Sequence, residues 1–160
     1  MQLAIDLLLW FSVISAGVMT GLYFAFSTFV MRALGMIEPR AGIAAMNAID
    51  REILRSAFMP LFLASSLTCL ALVAIGLLRW GEAGAVAAAA GGAIYLIGMT
   101  GVTMLRNVPL NNALAAVDPD SGAGASVWAH YLVHWTRWNH LRTVASIAAL
   151  VLFIVAIAQR

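Results

Sequence analysis

The sequence contains no lysine, only one cysteine and few charged residues of either sign. Charged side chains make up 10% of the 160 residues and hydrophobic ones 63%, whereas soluble domains are about 25% charged and about 45–50% apolar. This composition excludes an ordinary soluble domain and indicates an integral membrane protein. The formal net charge of +2 is too small to indicate a nucleic-acid partner. The single cysteine, Cys69, excludes a framework of intrachain disulfides.

Four apolar stretches are long enough to cross a bilayer, for which about 20 residues suffice. They run approximately over residues 3–34, 57–78, 83–105 and 126–158. The last should form one unbroken helix, because it contains neither glycine nor proline and begins at Ser126, a suitable N-cap. Asp6 and the lack of a basic segment before it indicate a retained first helix and not a cleaved signal peptide. The sequence therefore predicts an all-α fold, a four-helix transmembrane bundle in which residues 1–160 form a single integral-membrane domain.

The connections between these helices differ in length. Residues 79–82 form a tight turn between the second and third helices. Residues 39–56 are predicted to form an amphipathic helix in the first loop, because Pro39 suits a helix start and apolar residues follow it at three- and four-residue steps. The Asn107-Val-Pro109 segment is expected to break the third helix, with a short helical turn after it up to residue 116.

Glycines lie at close spacing on two of the helices. Gly17 and Gly21 are four residues apart on the first helix, and the third carries Gly91, Gly92, Gly98 and Gly101. Small residues at such spacing let helix backbones approach one another. We therefore expect close helix contacts at both places.

Arginine placement predicts the orientation in the membrane. The two long connections and their edges carry Arg32, Arg40, Arg51, Arg55, Arg106 and Arg137, whereas the opposite side carries Arg79 and Arg160. Basic residues favour the cytoplasmic side of a membrane. We therefore expect a multi-pass protein of the bacterial inner membrane with both long loops in the cytoplasm and both termini outside.

The segment from Trp128 to Thr143 contains all three histidines and three of the five tryptophans. At about 100° per residue, one face of the fourth helix carries Trp128, Trp135, Asn139, Arg142 and Ser146. His130, His134 and Arg137 fall on roughly the opposite face, and His140 lies to one side of both. Polar residues inside membrane helices are costly, so they mark candidate functional sites.

Polar and aromatic residues of three helices collect at one predicted end of the bundle. The candidates for substrate binding are Tyr23, Phe26, Ser27, Thr103, Asn107, Asn111, Trp135 and Trp138, and those for catalysis are Asn139, His140 and Arg142. A pocket with aromatic walls, a few amides, one arginine and one histidine suits a flat apolar ligand that has one or two oxygen atoms.

These residues also have other interpretations. The tryptophans could form an interfacial belt, Asn107 could cap broken backbone, and Arg142 could anchor its helix on the positive side of the membrane. His130 and His134 are four residues apart and could share a metal ion. No metal site is predicted there, because Arg137 lies on their face and no cysteine or acidic residue is near. A haem bound through His140 is a further alternative.

Three motifs resemble a family of small four-helix membrane proteins named after the anthrone oxygenases of aromatic polyketide pathways. The motifs are Phe24-Ala-Phe-Ser-Thr-Phe-Val-Met31, Asn107-Val-Pro-Leu-Asn111 and Trp135-Thr-Arg-Trp-Asn-His-Leu-Arg142. The resemblance implies oxidation of an anthrone to an anthraquinone by dioxygen without a known cofactor. It assigns to the site Asn107, Asn111, Trp135, Asn139, His140 and Arg142. Asp50 departs from the asparagine that relatives carry near the end of the loop helix.

The expected mechanism is base-assisted deprotonation followed by reaction with dioxygen. The central methylene of an anthrone is acidic because its carbanion is aromatic, and His140 is the expected base because histidine titrates near neutral pH. Arg142 and the amides of Asn107 and Asn139 are expected to stabilise the oxyanion, while tryptophans stack on the rings. We expect activity to depend on His140 and Arg142 and not on His130 and His134.

The expected partners are the lipid bilayer, a lipophilic anthrone-, phenol- or quinol-like molecule and dioxygen, with homo-oligomerisation left open. The competing interpretation is a non-enzymatic membrane protein, such as a small-ligand carrier or an assembly factor, that uses the same pocket for binding. The absorbance spectrum and the metal content of the purified protein test the haem or metal alternative, because a coloured or metal-loaded protein would favour it.

Overall fold

The computed structural model describes residues 2–160, and over those residues the chain forms five helices and no strand. We number them α1 (Gln2–Leu34), α2 (Pro39–Arg55), α3 (Phe58–Leu78), α4 (Ala85–Ala116) and α5 (Gly122–Ala158). All except α2 are long and apolar enough to cross a membrane. The predicted fold class, an all-α four-helix transmembrane bundle, is confirmed.

The bundle exposes large apolar side chains along its outer faces. They include Leu7, Trp10, Ile14, Leu63, Leu67, Leu70, Val144, Ile147 and Val151. Its interior is packed with buried apolar side chains such as Leu9, Met19, Leu72, Tyr95 and Phe153. An exposed apolar surface of this extent is unfavourable in water and suits contact with lipid.

The two ends of the bundle differ. At one end, Nε of Arg160 donates to Oδ1 of Asp6 at 3.0 Å, so the beginning and the end of the described chain meet there. At the other end, Nδ2 of Asn111 donates to Oδ1 of Asp50 at 2.7 Å, so α2 meets the last turns of α4. Both long connections therefore lie at the same end.

Two helix boundaries differ from the sequence prediction. The third membrane helix does not break at Asn107; α4 continues to Ala116. A proline within an α-helix removes one backbone hydrogen bond between residues four apart, and its ring clashes with a carbonyl of the preceding turn. The π-helical turn Thr103–Asn107, shortly before Pro109, has hydrogen bonds between residues five apart, and the altered backbone accommodates the ring. The helix α5 begins at Gly122 and not near Ser126, because the side chain of Ser121 caps it by accepting a hydrogen bond from the backbone N–H of Gly124.

Three π-helical turns were not predicted, and all of them lie in the half of the bundle that contains α2. They are Phe26–Val30 in α1 and Leu96–Gly101 and Thr103–Asn107 in α4. A π-helical turn disturbs the regular ladder of backbone hydrogen bonds and often marks a functional site. The carbonyl oxygen of Tyr23, just before the first of them, accepts a hydrogen bond from Nδ2 of Asn139 at 2.8 Å.

The helix α2 packs across this end of the bundle. Its Gly42 fits directly against the indole of Trp128, since a Cβ at that position would lie 2.5 Å from a ring carbon. Ile43 and Met46 are buried against α5, whereas Arg51 is exposed. The close contact at Gly42 fixes the position of α2 relative to α5.

Three of the four glycines of α4, namely Gly91, Gly92 and Gly98, make close contacts with other helices, and those of α1 do not. A Cβ at Gly92 would lie 2.6 Å from the carbonyl oxygen of Cys69 on α3, whereas a Cβ at Gly17 or Gly21 would have nothing within 4 Å of it. The predicted close helix contacts are therefore present on α4 and absent, among the described residues, from the α1 pair.

We expect Gly92→Val to destabilise the protein by about 1–3 kcal/mol, because the backbone carbonyl of Cys69 cannot move aside as a side chain can. The matched control is Gly17→Val, which introduces the same β-branched residue into a membrane helix where space is open. Thermal unfolding in detergent, followed by tryptophan fluorescence, measures the difference. Equal midpoints for the two variants would contradict the assignment of Gly92 to a tight contact.

Candidate functional site

A cavity of about 270 Å³ lies where α2 meets the bundle, and all five helices contribute to its wall. Its lining consists of Leu22, Tyr23, Phe26, Met46, Ile49, Asp50, Ile53, Leu54, Phe58, Met59, Phe62, Thr103, Met104, Val108, Asn111, Trp135 and Arg142. Sites for small molecules are mostly apolar, have a few polar groups and range from about 300 to 1,000 Å³. This cavity is near the lower end of that range, so it suits a small lipophilic ligand.

The cavity reaches the surface of the protein beside two apolar side chains. Leu54 on α2 and Met104 on α4 both line it and are more than half exposed. The remaining wall consists mostly of aromatic and aliphatic side chains. A ligand in this cavity is therefore surrounded by apolar groups on most sides and meets polar groups only at a few positions.

Arg142 is the buried cation of the cavity wall, with 5% of its surface exposed. Its guanidinium lies over the ring of Tyr23, 4.3 Å from the centroid, and over the ring of Trp135 at 5.0 Å. Cation–π contacts of this kind stabilise a desolvated cation. The guanidinium thus lies against two aromatic rings.

Two hydrogen bonds orient this guanidinium. Nη2 donates to Oδ1 of Asn139 at 2.7 Å, and Nη1 donates to Oγ1 of Thr103 at 3.2 Å. Among the described residues no carboxylate lies within 4 Å of it, and its Nε has no hydrogen-bond partner. An unpaired buried charge is costly. An anion or a developing oxyanion in the cavity would therefore gain from binding beside Arg142.

Asn139 positions Arg142 and joins α5 to α1. It is completely buried, and its Nδ2 donates to the carbonyl oxygen of Tyr23 at 2.8 Å and to Oγ of Ser27 at 2.7 Å. Because a guanidinium can only donate hydrogen bonds, the amide oxygen of Asn139 must face Arg142. The hydroxyl of Thr143 donates to the backbone carbonyl of Asn139, so the hydroxyl of Ser27 donates to Thr143. All polar atoms of the Asn139 side chain are satisfied in this arrangement.

A second polar cluster surrounds Asn111. Its Oδ1 accepts hydrogen bonds from Nε1 of Trp135 at 2.8 Å and from the hydroxyl of Tyr131 at 2.9 Å. An indole N–H can only donate, so the oxygen of the amide must face Trp135 and the nitrogen must face Asp50. Burial raises the pKa of Asp50 above its usual range, and the hydrogen bond from Asn111 opposes part of that rise.

The structure sorts the residues predicted for the site into three groups. Those that line the cavity are Tyr23, Phe26, Thr103, Asn111, Trp135 and Arg142. Asn107, Ser27 and Asn139 lie behind the wall; Nδ2 of Asn107, for example, donates to the backbone carbonyl of Trp135 at 3.2 Å. Trp138 and His140 do not line the cavity.

The position of His140 requires a correction to the expected mechanism. His140 is exposed, since it follows Asn139 by about 100° around α5 and so points away from the cavity. Trp138 is half-buried, and the guanidinium of Arg106 covers its ring at 5.0 Å from the centroid. The cavity wall therefore contains no histidine among the described residues.

The histidines of the outer face form a stacked pair. The rings of His130 and His134 lie 4.0 Å apart, centroid to centroid. No group of three or more metal-binding side chains of the His, Cys, Asp and Glu types occurs in residues 2–160. The pair is not part of the cavity.

Sequence reasoning missed the contribution of α2 and α3 to the cavity. Asp50, Met46, Ile49 and Ile53 line it from α2, and Phe58, Met59 and Phe62 line it from α3. A signal for Asp50 was present, because it shares a helical face with Met46 and Ile53 at steps of four and three residues. An acidic residue within an apolar helix face is costly to bury and is therefore a candidate site residue, as Arg142 is.

The comparison with known families decides which family this chain belongs to. A family model described as anthrone oxygenase matches residues 46–152, which include α3, α4 and most of α5. The chain belongs to the anthrone oxygenase family. The predicted family is confirmed; the second and third motifs lie within the matched residues and the first lies before them. Asp50, Asn111 and Arg142 also lie within the matched part of this anthrone oxygenase family member. No curated protein and no solved structure matches the chain.

Proposed function

We propose that this family member is a membrane oxygenase that oxidises a lipophilic anthrone-like aromatic with dioxygen. The observation that carries the proposal is Arg142, a buried guanidinium without an acidic partner at the wall of an apolar, aromatic cavity. A neutral ligand gains little from such a group. A ligand whose oxygen becomes negatively charged during the reaction gains much more, and that difference lowers the barrier.

The chemistry of an anthrone fits this environment. Loss of one proton from the central methylene gives an aromatic anion whose charge resides largely on the carbonyl oxygen, where Arg142 would stabilise it. The carbanion gives an electron pair to dioxygen and a carbon–oxygen bond forms, and protonation gives a hydroperoxide. Loss of water then removes the second methylene hydrogen and breaks the oxygen–oxygen bond. One atom of dioxygen becomes the new carbonyl oxygen and the other leaves as water, so this route uses no cofactor.

Four residues of the wall and one behind it have a role in this proposal. Tyr23, Phe26 and Trp135 hold the flat rings by stacking, and Arg142 holds the oxyanion. Asn139 acts as a positioning residue, because it fixes the orientation of the guanidinium. His140 has no assigned role, since it is exposed outside the cavity.

The test is oxygen consumption by the purified protein in detergent with emodin anthrone as the substrate. We expect one dioxygen to be consumed per anthrone, and labelled dioxygen to place one labelled atom in the quinone. Heat-inactivated protein gives the background rate of spontaneous oxidation. Binding of the anthrone without any oxygen uptake above that background would favour a ligand carrier instead.

We further propose that the protein lies in the bacterial inner membrane with both termini outside and both long loops in the cytoplasm. The asymmetric placement of the arginines supports this orientation. It puts the cavity at the cytoplasmic boundary of the membrane.

Reporter fusions test this orientation. We expect alkaline phosphatase fused after Arg160 to be active, because that enzyme requires export, and a green fluorescent protein fused there to be dark. The matched control is insertion of each reporter in the loop at Asp120, which should give the opposite pair of results. A fluorescent C-terminal fusion would reverse the assigned topology.

A further inference from the structure

Asp50 is the acidic residue of the cavity wall. The helix α2 carries it on the face that also supplies Met46 and Ile53. Its neighbour Glu52 is exposed and does not line the cavity. The fold therefore turns one carboxylate of α2 toward the ligand space and the other toward the outside.

The hydrogen bonds around Asn111 fix the position of this carboxylate. Trp135 and Tyr131 both donate to the amide oxygen of Asn111, which directs its N–H group onto Oδ1 of Asp50. An ionised carboxylate offers about four acceptor positions. Asn111 occupies one of them, so Asp50 keeps acceptor capacity for a proton.

Asp50 and Arg142 line the same cavity without forming an ion pair. In an anthrone the acidic methylene and the carbonyl lie at opposite positions of the central ring. A base for the methylene and a cation for the carbonyl oxygen must then stand apart across the ring and must not neutralise one another. Asp50 on α2 and Arg142 on α5 come from different helices, and no ion pair joins them, so each remains available to the ligand.

We infer that Asp50, which departs from the asparagine of relatives, is the catalytic base of this chain and removes the methylene proton, and that Asn111 is its positioning residue. The inference rests on the proposed function. The carbon–hydrogen bond breaks, its electron pair passes into the ring system and onto the carbonyl oxygen beside Arg142, and the proton bonds to the carboxylate of Asp50. Asp50 then returns the proton to the peroxide that forms with dioxygen, so the carboxylate is regenerated.

The groups that face Asp50 are compatible with this role. Arg142 on α5 and Tyr23 on α1 line the same cavity, and Tyr131 on α5 reaches Asn111. The described lining residues of α3 and α4 bring no titratable side chain. Burial raises the pKa of Asp50, which makes it a stronger base at neutral pH than an exposed aspartate.

Hydrogen exchange without oxygen isolates the proposed step. With dioxygen removed, the protein in heavy water should replace the methylene hydrogens of emodin anthrone by deuterium, which mass spectrometry detects. We expect Asp50→Asn to lower this exchange rate, corrected for the rate without protein, by about 10²–10⁴-fold. The matched control is Glu52→Gln, which removes the same charge from the exposed side of α2 and should leave the rate unchanged.

A second variant keeps the test decisive where Asp50→Asn folds poorly. Asp50→Glu retains a carboxylate on a longer arm and should exchange at least about tenfold faster than Asp50→Asn. Exchange by Asp50→Asn at the parent rate, or equal rates for the two variants, would overturn the assignment of the base while the proposed function stands. A parent protein that neither exchanges nor oxidises any anthrone would overturn the proposed function itself.

The pH profile tests the role of Asn111. The exchange rate should fall as the pH falls through the pKa of Asp50, because only the ionised carboxylate accepts the proton. Asn111→Leu removes a hydrogen bond that lowers that pKa, so the acidic limb of the profile should move to higher pH. A profile that is lower but not displaced would assign Asn111 a structural role only.

Discussion

Replacing Arg142 by methionine is expected to lower kcat/KM for anthrone oxidation by about 10²–10³-fold, the usual effect of removing a donor that stabilises an oxyanion. Methionine is apolar and nearly as long, so it fills the space beside the rings of Tyr23 and Trp135 without the charge. Steady-state oxygen uptake with emodin anthrone measures the loss. We expect Arg142→Lys to retain part of the activity, because it keeps the charge and loses the planar contact with the rings.

Arg106→Met is the control for this experiment. The guanidinium of Arg106 also covers a tryptophan ring, that of Trp138, but it is exposed and outside the cavity. Its replacement should change kcat/KM by less than about twofold, because exposed charges away from the site contribute little. Equal losses in Arg106→Met and Arg142→Met would show that overall charge, and not the oxyanion contact, is responsible.

Replacing Asn139 by leucine is expected to destabilise the protein strongly. The asparagine side chain is completely buried, and leucine has a similar shape but no polar atom. Nη2 of Arg142 would then lose its partner, and the carbonyl of Tyr23 would lose one donor; an unsatisfied buried group costs about 1–3 kcal/mol. The midpoint of thermal unfolding in detergent measures the loss. Any fraction that remains folded should also be less active, since the guanidinium is no longer oriented.

Asn112→Leu makes the same chemical change at an exposed position of α4. Surface substitutions usually change the free energy of unfolding by less than about 0.5 kcal/mol. An Asn139→Leu variant as stable as Asn112→Leu would contradict the hydrogen-bond network described for Asn139.

The inward face of α5 could be read from the sequence. Trp128, Trp135, Asn139, Arg142 and Ser146 were placed on one stripe by helical phase alone, and all five are buried. The same phase put His140 beside the stripe. His140 was predicted to be the base because of the chemistry of histidine. Its angular position on α5 places it outside the cavity.

The remaining parts of the site depend on contacts between distant segments. The pattern of α2 predicted a helix, but only packing decides which end of the bundle it covers and which residues it turns inward. The close fit of Gly42 against Trp128 sets that position, and with it the distance between Asp50 and the rest of the wall. The π-helical turns were not predicted either. The one in α1 lies where the backbone meets Asn139, a residue of a different helix, so the local sequence does not reveal it.

The unpaired charge of Arg142 has a consequence for how this family diversifies. An apolar residue at that position removes the desolvation cost of the charge but leaves the buried Oδ1 of Asn139 without its donor. A relative that loses the arginine is therefore expected to carry an apolar residue at the position of Asn139 as well, so the two positions should change together.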